Sequence, residues 1–209
     1  RAEIERVTRP AFEAASKRRN LLTLVDRANV LETSRLWREV VSEIAKEYPE
    51  VHFTTIFIDH ALAEMIMRPQ QFDVILTSNL FGDLMSDAVG VITGSVRLIP
   101  SASIGANTAL FEPIYSAYPR GVRRRNANPI AIILSMAMLL DYFKLPLESK
   151  TDRSAVTRVM NRGNGTSDLN LIQSVGTAAM GDFVASYITE GDDTFNKITK
   201  SGDQMSTII

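Results

Sequence analysis

Apolar residues recur at helical spacing over residues 3–19, as Ile4, Val7, Ala11, Ala14 and Ala15, and residues 21–25 then form an apolar run of strand length. The same order follows at once. Leu36, Val40, Val41, Ile44 and Ala45 share one helical face, with Ser34 as a candidate N-cap, until Pro49 ends the helix and residues 51–58 read as a strand. Residues 61–67 are helical up to Pro69, residues 73–77 form a short strand of the buried type, and residues 80–91 are helical until Gly94. Strands and helices that alternate in this way predict an α/β fold.

The pattern changes in the middle of the chain. Residues 98–118 are rich in Pro, Ser, Gly and Asn, which predicts strand ends and loops, where functional groups often sit. Asn128-Pro129 is a helix start, with Asn as N-cap and Pro at the first helical position, and residues 130–143 are apolar almost all round, which predicts a buried helix. Residues 152–161 and 177–189 read as two amphipathic helices separated by the turn-rich Arg162-Gly163-Asn164-Gly165-Thr166. Asn164-Gly165-Thr166 is formally a glycosylation sequon, read here as a turn. No internal repeat is visible, and the residues after Asn196 are expected to fray.

Composition narrows the function classes. A chain of 209 residues, 45% hydrophobic, can bury a sizeable core, and its net charge of -1 gives no global pull toward nucleic acid or an acidic membrane. The absence of cysteine excludes a disulfide framework and any thiolate metal site, and fits a reducing compartment. Asp, Arg and Pro interrupt every apolar stretch before the ~20 residues needed to span a bilayer. A soluble, intracellular protein of the cytoplasm or mitochondrial matrix is expected. Arg1 to Arg6 already have the character of an amphipathic helix, unlike a signal peptide, so the chain is expected to start inside a larger fold.

The segment Phe81-Gly82-Asp83-Leu84-Met85-Ser86-Asp87 carries the clearest chemistry, because carboxylates at i and i+4 share one helical face and can converge on one hard cation. Asp59 stands where a strand passes into a helix. On spacing alone, an Asp pair of this kind is more often a solvated helix face. Arg120, Arg123, Arg124 and Arg125 form a basic cluster that suits a phosphate, an acidic protein surface or simply solvent.

Four segments in order, Val25-Asp26-Arg27-Ala28-Asn29-Val30-Leu31-Glu32, Phe57-Ile58-Asp59, Asn79 to Asp87, and Leu98-Ile99-Pro100-Ser101-Ala102-Ser103, resemble successive motifs of the 3-isopropylmalate dehydrogenases, within the β-decarboxylating dehydrogenase family. Phe111-Glu112-Pro113-Ile114 and Asn126-Ala127-Asn128-Pro129 bracket what is the cofactor-binding loop in that family. The resemblance runs from about Ile4 to Ile188. It implies an isopropylmalate-dehydrogenase-like α/β fold that is incomplete, the family's N-terminal half having no counterpart here. Residues 1–95 would be part of the small dimerisation and metal-site domain, 96–196 the C-terminal part of the cofactor domain, and 197–209 a frayed tail.

The resemblance further implies a Mg²⁺ or Mn²⁺ ion held by Asp59, Asp83 and Asp87, chelating the hydroxyl and carboxylate of a 2-hydroxy acid and acting as Lewis acid for its oxidation and decarboxylation. It implies a homodimer, or pairing with a related subunit, through the helices after Asp59 and Asn79. Ala61, Met65, Leu84, Met85 and Val89 would lie at that interface, and Asp59 and Arg27 would enter the neighbour's site. Further protein would cover the incomplete sheet.

Departures from the family pattern carry as much information. Arg27 replaces the lysine of Val-Asp-Lys-Ala-Asn, and a guanidinium with pKa above ~12 is a poor proton-transfer group. Tyr115-Ser116-Ala117-Tyr118-Pro119-Arg120 stands where the family has His-Gly-Ser-Ala-Pro-Asp. Tyr115 then replaces the histidine beside the adenine, and Ser116 adds a Cβ where glycine allows close approach of the cofactor. Arg120 replaces the ribose-binding aspartate, a change that would suit the 2′-phosphate of NADP. Glu112, Tyr115, Ser116, Arg120 and Asn128 are thus degenerate cofactor-side positions, and NAD binding is expected to be lost, with NADP a minor alternative. Arg97 adds bulk where the family has glycine. The expectation is a pseudoenzyme with a structural or assembly role; the alternative is an active Mg-dependent NAD(P) oxidoreductase acting on a 2-hydroxy acid such as 3-isopropylmalate, in leucine biosynthesis.

Overall fold

The strand β1 (Leu21–Asp26) lies at the centre of a parallel sheet, between β2 (His52–Phe57) and β3 (Val74–Thr77). A strand covered on both faces has to be apolar on both, and Leu22, Leu24 and Val25 are all buried. Successive side chains alternate across the sheet. Leu22 and Leu24 meet Ile4, Phe12 and Ala15 of helix α1 (Ala2–Ser16) and Val40, Val41 and Ile44 of α2 (Glu32–Ala45). Val25 belongs to the opposite core, with Ile58, Ala61 and Met65 of α3 (Ile58–Met67) and Phe81 and Met85 of α4 (Asn79–Ile92). The structure, a computed structural model, describes residues 1–115, 125–169 and 173–189. Its contacts divide the chain into two units, Arg1–Ile92 and Thr93–Ile209; everything above lies in the first.

Two expectations for this unit are corrected. Ser34 is not the cap of α2: the helix starts at Glu32 after Leu31, because the Arg27 carbonyl already accepts the N–H groups of Val30 and Leu31 and tightens the chain into the helix early. Ser34 sits buried in the first turn. Ala61, Met65 and Met85 are not reserved for a second subunit, since each packs within the chain against Val25, Phe72 and Phe81. Periodicity marks an apolar stripe but not the surface it meets. Leu84 does stay exposed, at 46%, as do Ile66, Met67, Leu80 and Val91.

In the second unit a hairpin joins β4 (Pro100–Ile104) to β5 (Ala109–Pro113), antiparallel, with Ala102 opposite Phe111. Helices α5 (Ile130–Tyr142), α6 (Pro146–Asn161) and α7 (Thr177–Thr189) share a core of Ile130, Val156, Val159, Met180, Val184 and Tyr187. The short strands β6 (Asn164–Gly165) and β7 (Gln173–Ser174) pair in parallel between α6 and α7 in sequence. The expected all-round burial of α5 is corrected: Ile130, Ala131, Ser135 and Ala137 are buried, but Ile132 and Met136 are about half exposed. Its start also shifts by one residue. Pro129 is the cap position, and Asn128 acts from one residue earlier, its Oδ1 accepting the Ile130 N–H at 3.0 Å. Helix α6 begins at Pro146 rather than 152, proline being well suited to a first helical position. The expected tail, 197–209, lies outside the described residues.

The last turn of α3 is fastened by a buried carboxylate. Glu64 accepts hydrogen bonds from Arg68 Nη2 and Gln71 Nε2, each at 2.5 Å. Arg68 first, and Gln71 after it, lower the Glu64 carboxyl from 4.5 to about 2. A carboxyl depressed in the folded state contributes stability that is present above the unfolded pKa and lost as pH falls through the folded one. Unfolding free energy measured by urea titration should therefore fall between pH 4.5 and about 2, and Glu64→Gln should make the decline shallower over that window.

Candidate metal and substrate site

The site positions named from the sequence begin where β1 ends. Asp26, its last residue, is only 2% exposed, and a buried carboxylate must be paired. Arg38, on α2, forks it: Nε reaches Oδ2 at 2.9 Å and Nη2 reaches Oδ1 at 2.8 Å, a bidentate, charge-assisted pair. Oδ1 also accepts the Ala28 N–H at 3.0 Å. The Arg27 N–H donates to Ser34 Oγ at 3.2 Å, and the Arg27 carbonyl accepts from Val30 and Leu31 at 2.9 Å. Arg27 therefore projects from a loop whose backbone is held on both sides.

Where its side chain goes follows from strand register. Asp26 lies opposite Phe57 in the parallel β1–β2 pair, so the chain leaves the two strands side by side, with Arg27 next on one and Ile58-Asp59 on the other. Asp59, in the first turn of α3, forms an ion pair with the Arg27 guanidinium; the Arg27 side chain is 31% exposed and that of Asp59 66%. Asp59 thus closes a strand and opens a helix, as its sequence context suggests, at the helix end that favours negative charge.

Asp83 and Asp87 both lie exposed on α4. The buried residues Phe81 and Met85 stand two positions before each of them, roughly 160° away around the helix. The carboxylate pair consequently faces away from its own core. Among the described residues no three acidic, histidine or cysteine side chains gather in one chain as a metal nest. The donors fit a hard divalent ion in type, being carboxylate oxygens, and two of them share a face. The third is engaged by a cation of the protein itself.

At the carboxyl ends of β1 and β3 lies a cleft of about 190 Å³, walled by Leu31, Trp37 and Phe81 above Asp26 and Ser34. The chain leaves β1 for α2 on one face of the sheet and β3 for α4 on the other, the place where open α/β sheets form crevices.

The cofactor-side positions divide. Glu112 is exposed on β5, opposite Ser101. Tyr115 is half-buried, its hydroxyl 3.4 Å from the Asn128 carbonyl, a long contact. Ser116 and Arg120 lie outside the described residues, with Arg123 and Arg124. Asn128 is fully buried, and besides holding Ile130 it donates Nδ2 to Asp168 at 3.3 Å. Asp168 also accepts from Ser95 Oγ at 2.6 Å and from Thr166 Oγ1. Burial pushes the Asp168 carboxyl up, but these three donors together outweigh it and hold the group below the usual range. Sequence reasoning named Asn128 and missed its partner. A hydroxyl two residues before an acid, Thr166 before Asp168, was the available signal for a locally bonded turn.

Comparison with known proteins adds an independent finding. A profile of the family described as isocitrate/isopropylmalate dehydrogenase matches residues 1–184. A 3-isopropylmalate dehydrogenase of Moorella thermoacetica is 48% identical over 194 residues, covering 91% of this chain and 54% of that protein. One from Escherichia coli is 47% identical over 197 residues, covering 91% and 53%. Among solved structures, an isocitrate dehydrogenase from Methylococcus capsulatus superposes with a TM-score of 0.84 at 38% identity, over 88% of this chain and 56% of that one. A β-decarboxylating dehydrogenase from Thermococcus kodakarensis, in its apo form, gives 0.82 at 35%, over 90% and 55%. The chain spans about half the length of the curated relatives it matches.

The Asp26–Arg38 fork is the part of this site that stability measurements can isolate. Arg38→Met should cost about 2–3 kcal/mol, somewhat below the usual penalty for orphaning a buried charge because Arg38 is itself partly solvated. Arg38→Lys should recover only part of it, lacking the planar fork. Urea midpoints at neutral pH would measure both.

Proposed function

The chain belongs to the isocitrate/isopropylmalate dehydrogenase family, and on that premise we propose that it is a subunit that keeps the family's ion-binding aspartates but has lost oxidative decarboxylation, serving as a structural or assembly component. The observation that carries this reading is Arg27. It stands where the resemblance puts a lysine, and its guanidinium is committed to Asp59. Lysine can be tuned to exchange a proton near neutral pH and arginine cannot.

Asp83 and Asp87 of one subunit, with Asp59 of a twofold mate, would hold Mg²⁺ or Mn²⁺. When bound, the ion would supply Lewis-acid polarisation of a 2-hydroxy acid. The exposed apolar residues of α3 and α4, Ile66, Met67, Leu80, Leu84 and Val91, suit pairing with that mate or a related subunit. Ile104 and Leu110 on the hairpin and Ile132 and Met136 on α5 suit burial beneath further protein, on this or another polypeptide. Loss of NAD is supported by Tyr115, whose hydroxyl turns to the Asn128 carbonyl, and by the Cβ that Ser116 adds. Among the described residues no helix is long and apolar enough to cross a membrane, and an intracellular location, in cytoplasm or mitochondrial matrix, accords with the reading.

A second reading has its own support. Identity of 48% with a 3-isopropylmalate dehydrogenase, with Asp59, Asp83 and Asp87 all present, favours an active Mg-dependent NAD(P) oxidoreductase acting on a 2-hydroxy acid such as 3-isopropylmalate.

The two separate in one assay. Full-length protein given Mg²⁺, 3-isopropylmalate and either NAD⁺ or NADP⁺ should show no turnover above background. An Arg27→Lys, Tyr115→His, Ser116→Gly variant should regain activity, since proton-transfer groups of this kind are typically worth ~10²–10⁴-fold. Sustained turnover by the natural protein would establish the second reading instead.

A further inference from the structure

We infer that Arg27 is a built-in competitor for the metal site: its guanidinium occupies Asp59, so that a divalent ion binds only by displacing it. The inference rests on the proposed ion-binding role of Asp59, Asp83 and Asp87. It adds that this chain's affinity for the ion is set by one of its own side chains.

The geometry makes the contact a property of the fold rather than of a wandering side chain. Arg27 and Asp59 follow the carboxyl ends of neighbouring parallel strands, and the pairing of Asp26 with Phe57 fixes their relative height. The loop that presents Arg27 is tied down by Ser34 on its N–H, by the turn at Val30 and Leu31 on its carbonyl, and by Asp26, itself forked by Arg38, on the next N–H. Asp59 is presented by a helix whose first residue, Ile58, is anchored in the core.

Charge count is what tunes a carboxylate site for a hard cation. With Arg27 in place, one of three negative charges is cancelled, and a positive group stands within contact distance of a carboxylate the ion needs. An incoming ion must break the ion pair and then tolerate the guanidinium nearby. For a partly exposed pair the first cost is modest and the second larger, together amounting to about tenfold in affinity.

The test is Mn²⁺ binding to the full-length protein, read as loss of the free-ion electron paramagnetic resonance signal. Arg27→Gln should bind Mn²⁺ about tenfold more tightly than the natural protein. Asp59→Asn should abolish that gain in the Arg27→Gln background while changing little in the natural one. Arg27→Met, which keeps the aliphatic stem and removes the charge, makes the same comparison should the glutamine variant fold poorly. Asp83→Asn tests the underlying reading, since it should weaken binding in every background. Equal affinity with and without Arg27, lost in Asp83→Asn, would overturn the competitor and leave the metal site standing. Failure to bind Mn²⁺ in any background, or binding indifferent to Asp83→Asn, would overturn the metal site and the competitor with it.

Discussion

A carboxylate buried at the end of an apolar strand cannot stay unpaired, and most of the local geometry in the first unit follows from how Asp26 is satisfied. Leu22, Leu24 and Val25 commit β1 to burial on both faces, so its last residue ends inside the protein. Arg38 closes the charge with a fork, drawing α2 against the strand's end, and Oδ1 also takes the Ala28 N–H. The loop between is then short and fixed, and Ser34 adds a further hydrogen bond to it. A charge placed next on that loop, at position 27, has little freedom of direction. It meets Asp59, two residues beyond the strand end that the parallel register brings alongside.

The same logic of faces divides the carboxylates. On α4 the sheet claims Phe81 and Met85, and helical periodicity then sends Asp83 and Asp87 outward, because positions two apart lie on opposing sides. Asp59 sits at a helix start near the strand ends instead. A chain built this way presents a pair and a single, and no three of its described acids meet within it. On the proposed reading a second subunit brings these groups to one ion, and exposed Leu80, Leu84 and Val91 on α4 supply apolar surface near the pair for such an approach.

Alternation of helix and strand was legible over the first unit, because buried parallel strands and amphipathic helices have different apolar periods and that part of the chain keeps both clean. What pattern alone could not reveal was which surface an apolar stripe meets. Ala61, Met65 and Met85 pack inward although the resemblance suggested an interface, and α5, apolar all round, buries only one side. Asn128 shows the other limit. A cofactor-side residue by resemblance and a helix cap by local pattern, it is both buried and bonded to Asp168, forty residues further along the chain. Such a pairing leaves no trace in local spacing. The Asp26–Arg38 fork escaped notice for the same reason, since Arg38 lies on the polar side of a helix whose pattern is otherwise unremarked.

Substituting arginine for lysine at position 27 changes more than basicity. A lysine ammonium is a point charge on a flexible stem, easily redirected toward a substrate or a proton acceptor. A guanidinium is planar and always charged, and here its Nη1 rests on one Asp59 oxygen. Set on a loop with both its N–H and its carbonyl already engaged, it is held close to Asp59 by the backbone as well as by charge. On the proposed reading, arginine in place of lysine removes a proton carrier and, by the same contact, encumbers an ion ligand. The two effects need not be separate lesions accumulated in a decaying site. On that reading they are the electrostatic and chemical consequences of one side chain, with Asp59, Asp83 and Asp87 all present.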